Sequence, residues 1–552
     1  MQRNAAEVHF FNSLLRRSPA GRVSFDLTLG VRNLENRFKK SLLDPGNLSV
    51  TWELVPGRGA REPAQEKCLE DAAQAVRGGK VQALTITDNP GGNPALLADY
   101  LAGEILRLGG TPLVHFTCKD RNRNQQESEL YALDRAGIEN LLVMSGDYPV
   151  TGFQGRPAPV FDLDPVHALG LIAAMNRGLE YPGFKGTVQN RPSRFYAGVA
   201  VSPFKATEAE VMAQYFKLRK KIAAGAQFIV TQLGYDARKF HEVFQLMKQN
   251  HPDIPLVGNI YILPFGTAKL MNKNRIPGCV VTDKLLAELD RERSTPDKGL
   301  RARLLRASRM YAILKGMGYS GVHIGGHNMR YEQVEEVIGE GENLAPNWPD
   351  LIRYFDDPQP GGFYYYEGDP ETGLNTQKPT ERRGRALDAP VTLTYRMSRI
   401  FHGLMFEPGR NLFGFMRGLC RTVAGTRLEG VFHKLEYLTK VLIYACRDCG
   451  DCALIDVAYS CPMSGCPKNQ RSGACGGSFN GWCEVYPGIR KCIYVKAYAR
   501  LKNYGEEEKL NDGYTPPCNW DFYQTSSWIN FYLGRDHTAR RLGIPEVKKG
   551  EI

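Results

Sequence analysis

Residues Leu113 to Pro149 read LVHFTCKDRNRNQQESELYALDRAGIENLLVMSGDYP. The apolar run LVHFT ends in a charged loop, Asn124–Ala136 keeps a helical period, and NLLVM is a second short apolar run stopped by Ser145-Gly146-Asp147. Two consecutive buried strands joined by a helix form a βαβ unit, which implies a parallel sheet. Groups at the carboxyl ends of such strands face the ligand crevice. His115, Thr117, Asp120 and Asp147 are therefore candidates for chemistry.

Outward from this unit the alternation is regular. Strands are expected at Ser49–Val55, Val81–Thr87, Pro112–Thr117, Asn140–Met144, Phe195–Val201, Phe228–Gln232, Leu256–Leu263 and Gly321–Ile324, each after the first preceded by a helical stretch. Eight such repeats predict a (β/α)8 TIM barrel over residues 48–344, and the lack of GxGxxG after the first strand argues against a dinucleotide-binding sheet. The strand ends carry Glu53, Thr87-Asp88, His115 to Thr117, Asp147, Ser202, Gln232, Phe265 and Gly325-Gly326, which a barrel gathers at one mouth. Glu53 lies inside an apolar run, where an unpaired carboxylate is costly unless function retains it.

A chain of 552 residues exceeds one ordinary core. Residues 1–47 read as an N-terminal extension with a helix over Leu34–Leu43. Residues 345–425 read as a linker or wrapping segment, and residues 426–552 as a cysteine-rich domain, mainly helical or irregular and metal-binding. No apolar run nears the ~20 residues of a membrane span. The N-terminus lacks a sustained apolar core for secretion, so a reducing cytoplasm is expected. The formal charge of +12 is dispersed with no nucleic-acid motif, which points to an anionic small ligand or an acidic partner.

Of 13 cysteines, eight fall between Cys446 and Cys492: Cys446, Cys449, Cys452, Cys461, Cys466, Cys475, Cys483 and Cys492. Three at x2 spacing can wrap one corner of a [4Fe–4S] cube, with a fourth arriving before a proline. Eight suffice for two four-ligand sites. Structural zinc is the competing reading, since paired cysteines at short spacing also hold that ion.

HFTCKDRNRNQ followed by LLVMSGDYP, with Trp-Glu-Leu-Val-Pro around Glu53, resembles the flavin-binding core of the methylenetetrahydrofolate reductase family over roughly residues 35–340. CxxCGxC, CPK and GACGG…GWCEV resemble the small zinc or iron–sulfur subunit that partners the reductase in anaerobic bacteria, here fused. The resemblance implies that Glu53 is the general acid and that Asp147, after Ser145-Gly146, lies near the flavin and the folate. It places Thr87, Asp88, His115 and Thr117 on the flavin and nicotinamide side, Lys221 near the ribityl phosphate, and Gln232 and Phe265 on substrate. Ser202, Gln214, Lys217 and Met329 depart from the pattern, which leaves FMN beside FAD as the flavin.

The implied reaction is reduction of 5,10-methylenetetrahydrofolate to 5-methyltetrahydrofolate, with electrons from NAD(P)H, or from ferredoxin or a partner through the cysteine module. A homo-oligomer or a larger redox complex is expected. Two other classes remain: a folate-dependent methyltransferase or demethylase barrel, and an electron-transfer scaffold whose barrel is not catalytic.

Overall fold

The computed structural model describes residues 36–381 and 391–547. Eight parallel strands close into a barrel: β1 (Ser49–Leu54), β2 (Ala83–Ile86), β3 (Pro112–Thr117), β4 (Asn140–Met144), β5 (Tyr196–Val201), β6 (Phe228–Thr231), β7 (Leu256–Ile262) and β8 (Gly321–Gly326). Each pairs with its successor, and β8 returns to β1 with Ser49 opposite Gly321 and Thr51 opposite His323. This is the (β/α)8 architecture expected from the alternation.

Strand side chains alternate between two environments. On β1, Val50, Trp52 and Leu54 point outward into the core shared with the helices, each at most 3% exposed. Thr51 and Glu53 point into the barrel. The bottom of the barrel is closed by helix Arg37–Leu43, capped by the Asn36 side chain. Its Phe38 meets Tyr196 and Phe228 edge-on at ring distances of 6.2 and 5.3 Å. Burying one such ring contributes roughly 1.5–3 kcal/mol. The helix begins at Arg37 rather than Leu34, and Leu34 lies outside the described residues.

Two other stretches differ from expectation. The long helical section over Asp283–Met317 is two helices, Asp283–Glu292 and Leu300–Met317, separated where Pro296 falls and Gly299 turns at φ +75°. Within residues 345–425, the early part wraps the barrel: Lys239 Nζ donates to the Phe363 carbonyl at 2.7 Å, and Arg238 stacks on Tyr364 at 3.9 Å. The later part forms helices Leu393–Met405 and Asn411–Val423. Their outward faces are apolar as well as their inward ones, which blurs the period that would have revealed them.

The cysteine-rich region sits on the barrel. Val457, Ala474, Ile493, Tyr494 and Tyr498 join the same core cluster as the barrel helices. Polar ties reinforce the contact. Ser472 N–H donates to Asp164 at 2.8 Å, Tyr498 Oη to Glu208 at 2.6 Å, and Trp520 Nε1 to Asp162 at 3.0 Å, while Lys502 pairs with Glu208.

Candidate functional site

The inward residues of β1 and β8 build the floor of the mouth. Glu53 Oε2 lies 3.6 Å from His323 Nε2, and the other ring nitrogen of His323 lies 2.9 Å from Thr51 Oγ1. His115, on β3, completes the group: one ligand atom from each of Glu53, His115 and His323 falls within 4.8 Å of the others. Burial works to raise the Glu53 carboxyl, but the hydrogen bond and charge of His323, with the charge of His115, outweigh it and hold the group below its ordinary value. Burial pushes the His115 imidazole down to about 4, so it is neutral at pH 7. Burial alone would favour a protonated Glu53, and His323 opposes it.

Above this floor opens a cavity of about 210 Å³. Thr87, Asp88, His115, Thr117, Ser145 and Gly146 line it, together with Asp147, Ser202, Gln214, Lys221 and Gln232. Four buried polar atoms on its walls find no hydrogen-bond partner among the described residues: Thr87 Oγ1, His115 Nε2, Ser202 Oγ and Gln214 Nε2. Buried polar groups are ordinarily bonded, so this cluster marks a place for a ligand rich in donors and acceptors.

The other expected residues occupy defined roles. Asp88 accepts from Thr117 Oγ1 at 2.6 Å and pairs with Arg121, which also pairs with Glu129. The Asp147 carboxylate accepts from the Gly91 backbone N–H at 2.8 Å and keeps an edge on the cavity. Lys221 donates to the Ala200 carbonyl at 2.6 Å, and burial, helped by the Lys217 charge, pushes its ammonium down to about 7. Gln232 folds back to accept from the Leu233 N–H at 2.9 Å. Two candidates stand apart from the cavity. Asp120 pairs with Lys119 at 3.1 Å, and Phe265 lies under the Arg293 guanidinium at 4.2 Å.

The cysteine-rich region supplies part of the wall. Lys468, Cys475, Gly476, Gly477 and Glu484 line the same cavity. Lys468 Nζ donates to the Gly146 carbonyl at 2.7 Å and pairs with Glu484 at 2.6 Å. Glu484 also accepts from the Cys475 thiol at 3.2 Å. Ser145 Oγ donates to Gln470 at 3.0 Å, and Lys217 Nζ reaches Gln470 and the Gly473 carbonyl at 2.7 and 3.0 Å. Gly476 adopts φ +98°, and a β-carbon there would come within 3.4 Å of the Gln214 side chain. His323, Lys468, Gln470 and Glu484 were not anticipated. Alternation along β8 could have turned His323 inward with Gly325. No sequence signal marks a loop that reaches the mouth only by docking.

The eight cysteines gather in two pockets. Cys446, Cys449, Cys452 and Cys461 line one. Cys466, Cys475, Cys483 and Cys492 line the other, which shares Cys475 with the mouth cavity. Backbone N–H groups approach several sulfurs: Asp448 reaches Cys446 at 3.4 Å, and Lys468 and Gln470 reach Cys466. Cys518, left outside the expected set, packs with Cys449 and Cys461.

A family model described as methylenetetrahydrofolate reductase matches residues 37–338, and one described as methylene-tetrahydrofolate reductase C terminal matches residues 426–521. Methylenetetrahydrofolate reductase 2 of Schizosaccharomyces pombe is 26% identical over 222 residues, 37% of this chain and 32% of that one. Methylenetetrahydrofolate reductase (NADH) 1 of Arabidopsis thaliana is 26% identical over 223 residues, 40% of this chain and 36% of that one. The chain thus spans about a third of the length of these relatives. Among solved structures, an uncharacterized protein from Clostridium thermocellum that binds two copies of 5-methyl-5,6,7,8-tetrahydrofolic acid aligns with 56% of this chain and 99% of its own, at 14% identity and a TM-score of 0.39.

Proposed function

The chain belongs to the methylenetetrahydrofolate reductase family, and from that premise we propose that it reduces 5,10-methylenetetrahydrofolate to 5-methyltetrahydrofolate at the barrel mouth with a bound flavin. The observation that carries this reading is the Glu53–His323 pair beneath a cavity walled by unpartnered polar atoms. Those atoms suit the polar edge of a flavin ring, and Gly146, Gly476 and Gly477 let backbone come close to it. When bound, the reduced flavin supplies the hydride.

The protein's own residues handle the proton. The Thr51 hydroxyl donates to the Val322 carbonyl at 3.4 Å, so its oxygen is left to accept from His323 Nδ1–H. His323 Nε2 then faces Glu53. In its protonated form Glu53 delivers a proton to the folate ring nitrogen, which opens the five-membered ring to an iminium whose exocyclic carbon accepts hydride. Asp147 and Gln232, which both line the cavity, orient the substrate.

FMN fits better than FAD. Lys217, where the resemblance places a flavin contact of FAD-binding enzymes, is taken up by Gln470 and Gly473. Lys221 has its charge weakened by burial, which an adjacent phosphate would restore. The two cysteine pockets suit [4Fe–4S] clusters. When bound, clusters would supply single electrons, and Cys475 touches both its pocket and the flavin cavity.

Anaerobic purification followed by flavin extraction and assays for iron, zinc and acid-labile sulfide tests these assignments. Bleaching of the flavin by methyltetrahydrofolate is the expected outcome. A colourless protein that still moves a folate methyl group would replace the reductase with a methyltransferase.

A further inference from the structure

Helix Arg427–Tyr444 is amphipathic the wrong way round for a single chain. Its inward side buries Glu436 and Lys440, while Leu428, Val431, Leu435, Leu438 and Leu442 stand 55–78% exposed. The spacing of those five is 3, 4, 3, 4, the seam by which one helix packs into the grooves of another. Helix Leu393–Met405 repeats the pattern with Leu393, Met397, Ile400 and Leu404, all more than half exposed. Between the two helices runs an apolar groove of about 600 Å³, walled by Met397, Phe401 and Ile443 and floored by Phe406, Trp528 and Phe531.

Together these side chains leave on the order of 1,000 Å² of apolar surface in water, where a monomer rarely exposes a patch of more than a few hundred. Two such faces joined would bury about 2,000 Å², the range of permanent homodimers. Among the positions flanking the seam, Phe432, Thr439 and Val441 are uncharged, while Arg427 and Lys434 are charged. A self-complementary face closes under a two-fold axis.

We propose that this face binds a second copy of the chain, with helices Arg427–Tyr444 antiparallel and Leu435, the middle of the seam, next to the axis. Seam side chains of one copy enter the groove of the other. Because Cys452 also lines that groove, association shields the first cysteine pocket from water.

Sedimentation equilibrium of the full chain over about 0.1–50 µM tests this, since dimer stability depends on concentration. The expected mass is twice the 61.7 kDa of the chain. The double variant Leu435→Glu, Leu442→Glu should sediment as a monomer with the melting temperature of a folded protein, because these side chains are exposed within one chain. Leu435→Cys, oxidised gently, should form a disulfide-linked dimer on a non-reducing gel. A wild-type monomer at the highest concentration overturns the proposal, as does a dimer that persists in a folded double-Glu variant. A dimer that Leu435→Cys cannot cross-link does so too. Flotation of a monomeric wild type with vesicles containing anionic lipid would assign the face to a membrane surface instead.

Discussion

Glu53 on β1 and His323 on β8 face each other across the seam that closes the barrel, with Oε2 and Nε2 3.6 Å apart. The pair exists only because the eighth strand returns to the first: β1 and β8 are hydrogen-bonded neighbours although 270 positions separate the two residues. Closure of the sheet therefore creates the pair. Replacing Glu53 by Gln keeps the size and removes the acid. Turnover of methylenetetrahydrofolate should fall about 10²–10⁴-fold, the usual worth of a general acid, with flavin still bound and reducible. Near-normal turnover would mean that Glu53 is merely a polar residue on the barrel floor.

In the proposed mechanism His323 acts through Glu53, and pH tests that role. In the wild type, His323 and His115 hold the Glu53 carboxyl below its ordinary value against the effect of burial. His323→Asn removes the larger opposing influence and leaves burial, which raises a carboxyl pKa. An acid with a higher pKa stays protonated to higher pH. The limb of kcat/KM that falls with rising pH and reports Glu53 should therefore move upward. A limb that stays in place, with activity lost uniformly, would reduce His323 to a packing role.

How much of this was legible follows from which interactions are local. Alternation of short apolar runs with helical periods specified the barrel. The polar strand ends Glu53, Thr87, His115, Asp147 and Gln232 specified its mouth, because strand direction alone sends them there. His323 was within reach of the same logic, being one alternation step from Gly325. Lys468 and Glu484 were not, since they enter the site by tertiary docking of a loop. Phe265 shows what strand position alone leaves open. It follows the seventh strand, yet Arg293 covers its ring and it stands outside the cavity. The helices Leu393–Met405 and Asn411–Val423 carry apolar residues on faces that a single chain leaves exposed, which blurs the pattern used to find them, whereas the helix expected at Leu428–Tyr444 is present as Arg427–Tyr444.

The Asp147 carboxylate lines the cavity, anchored by the Gly91 N–H at 2.8 Å, and in the proposed reading lies where the flavin and the folate meet. A carboxylate beside a reduced, anionic flavin ring disfavours it and lowers the midpoint potential. Asp147→Asn should raise that potential and weaken folate binding together. Spectroelectrochemistry and a folate titration on the same preparation check both. Unchanged values in the two would remove Asp147 from the site.

The two cysteine pockets should answer differently to substitution, because only one of them touches the mouth. Cys449 lies in the pocket formed with Cys446, Cys452 and Cys461, none of which lines the flavin cavity. Cys449→Ser should therefore lower the iron content and slow flavin reduction by a one-electron donor. Flavin should stay bound, and methyltetrahydrofolate oxidation by a dye that takes electrons directly from flavin should survive. Cys475 belongs to the other pocket and to the cavity, where it donates to Glu484, which in turn holds Lys468 against the Gly146 carbonyl. Disturbing Cys475 releases this chain of contacts beside the flavin. Cys475→Ser should thus weaken flavin binding as well as metal content, so a barrel expected to keep its cofactor independently of the C-terminal region would not do so here. Fluorescence titration with FMN separates the cases: equal flavin affinity in the two variants would mean that the cysteine region covers the mouth without helping to hold what lies inside it.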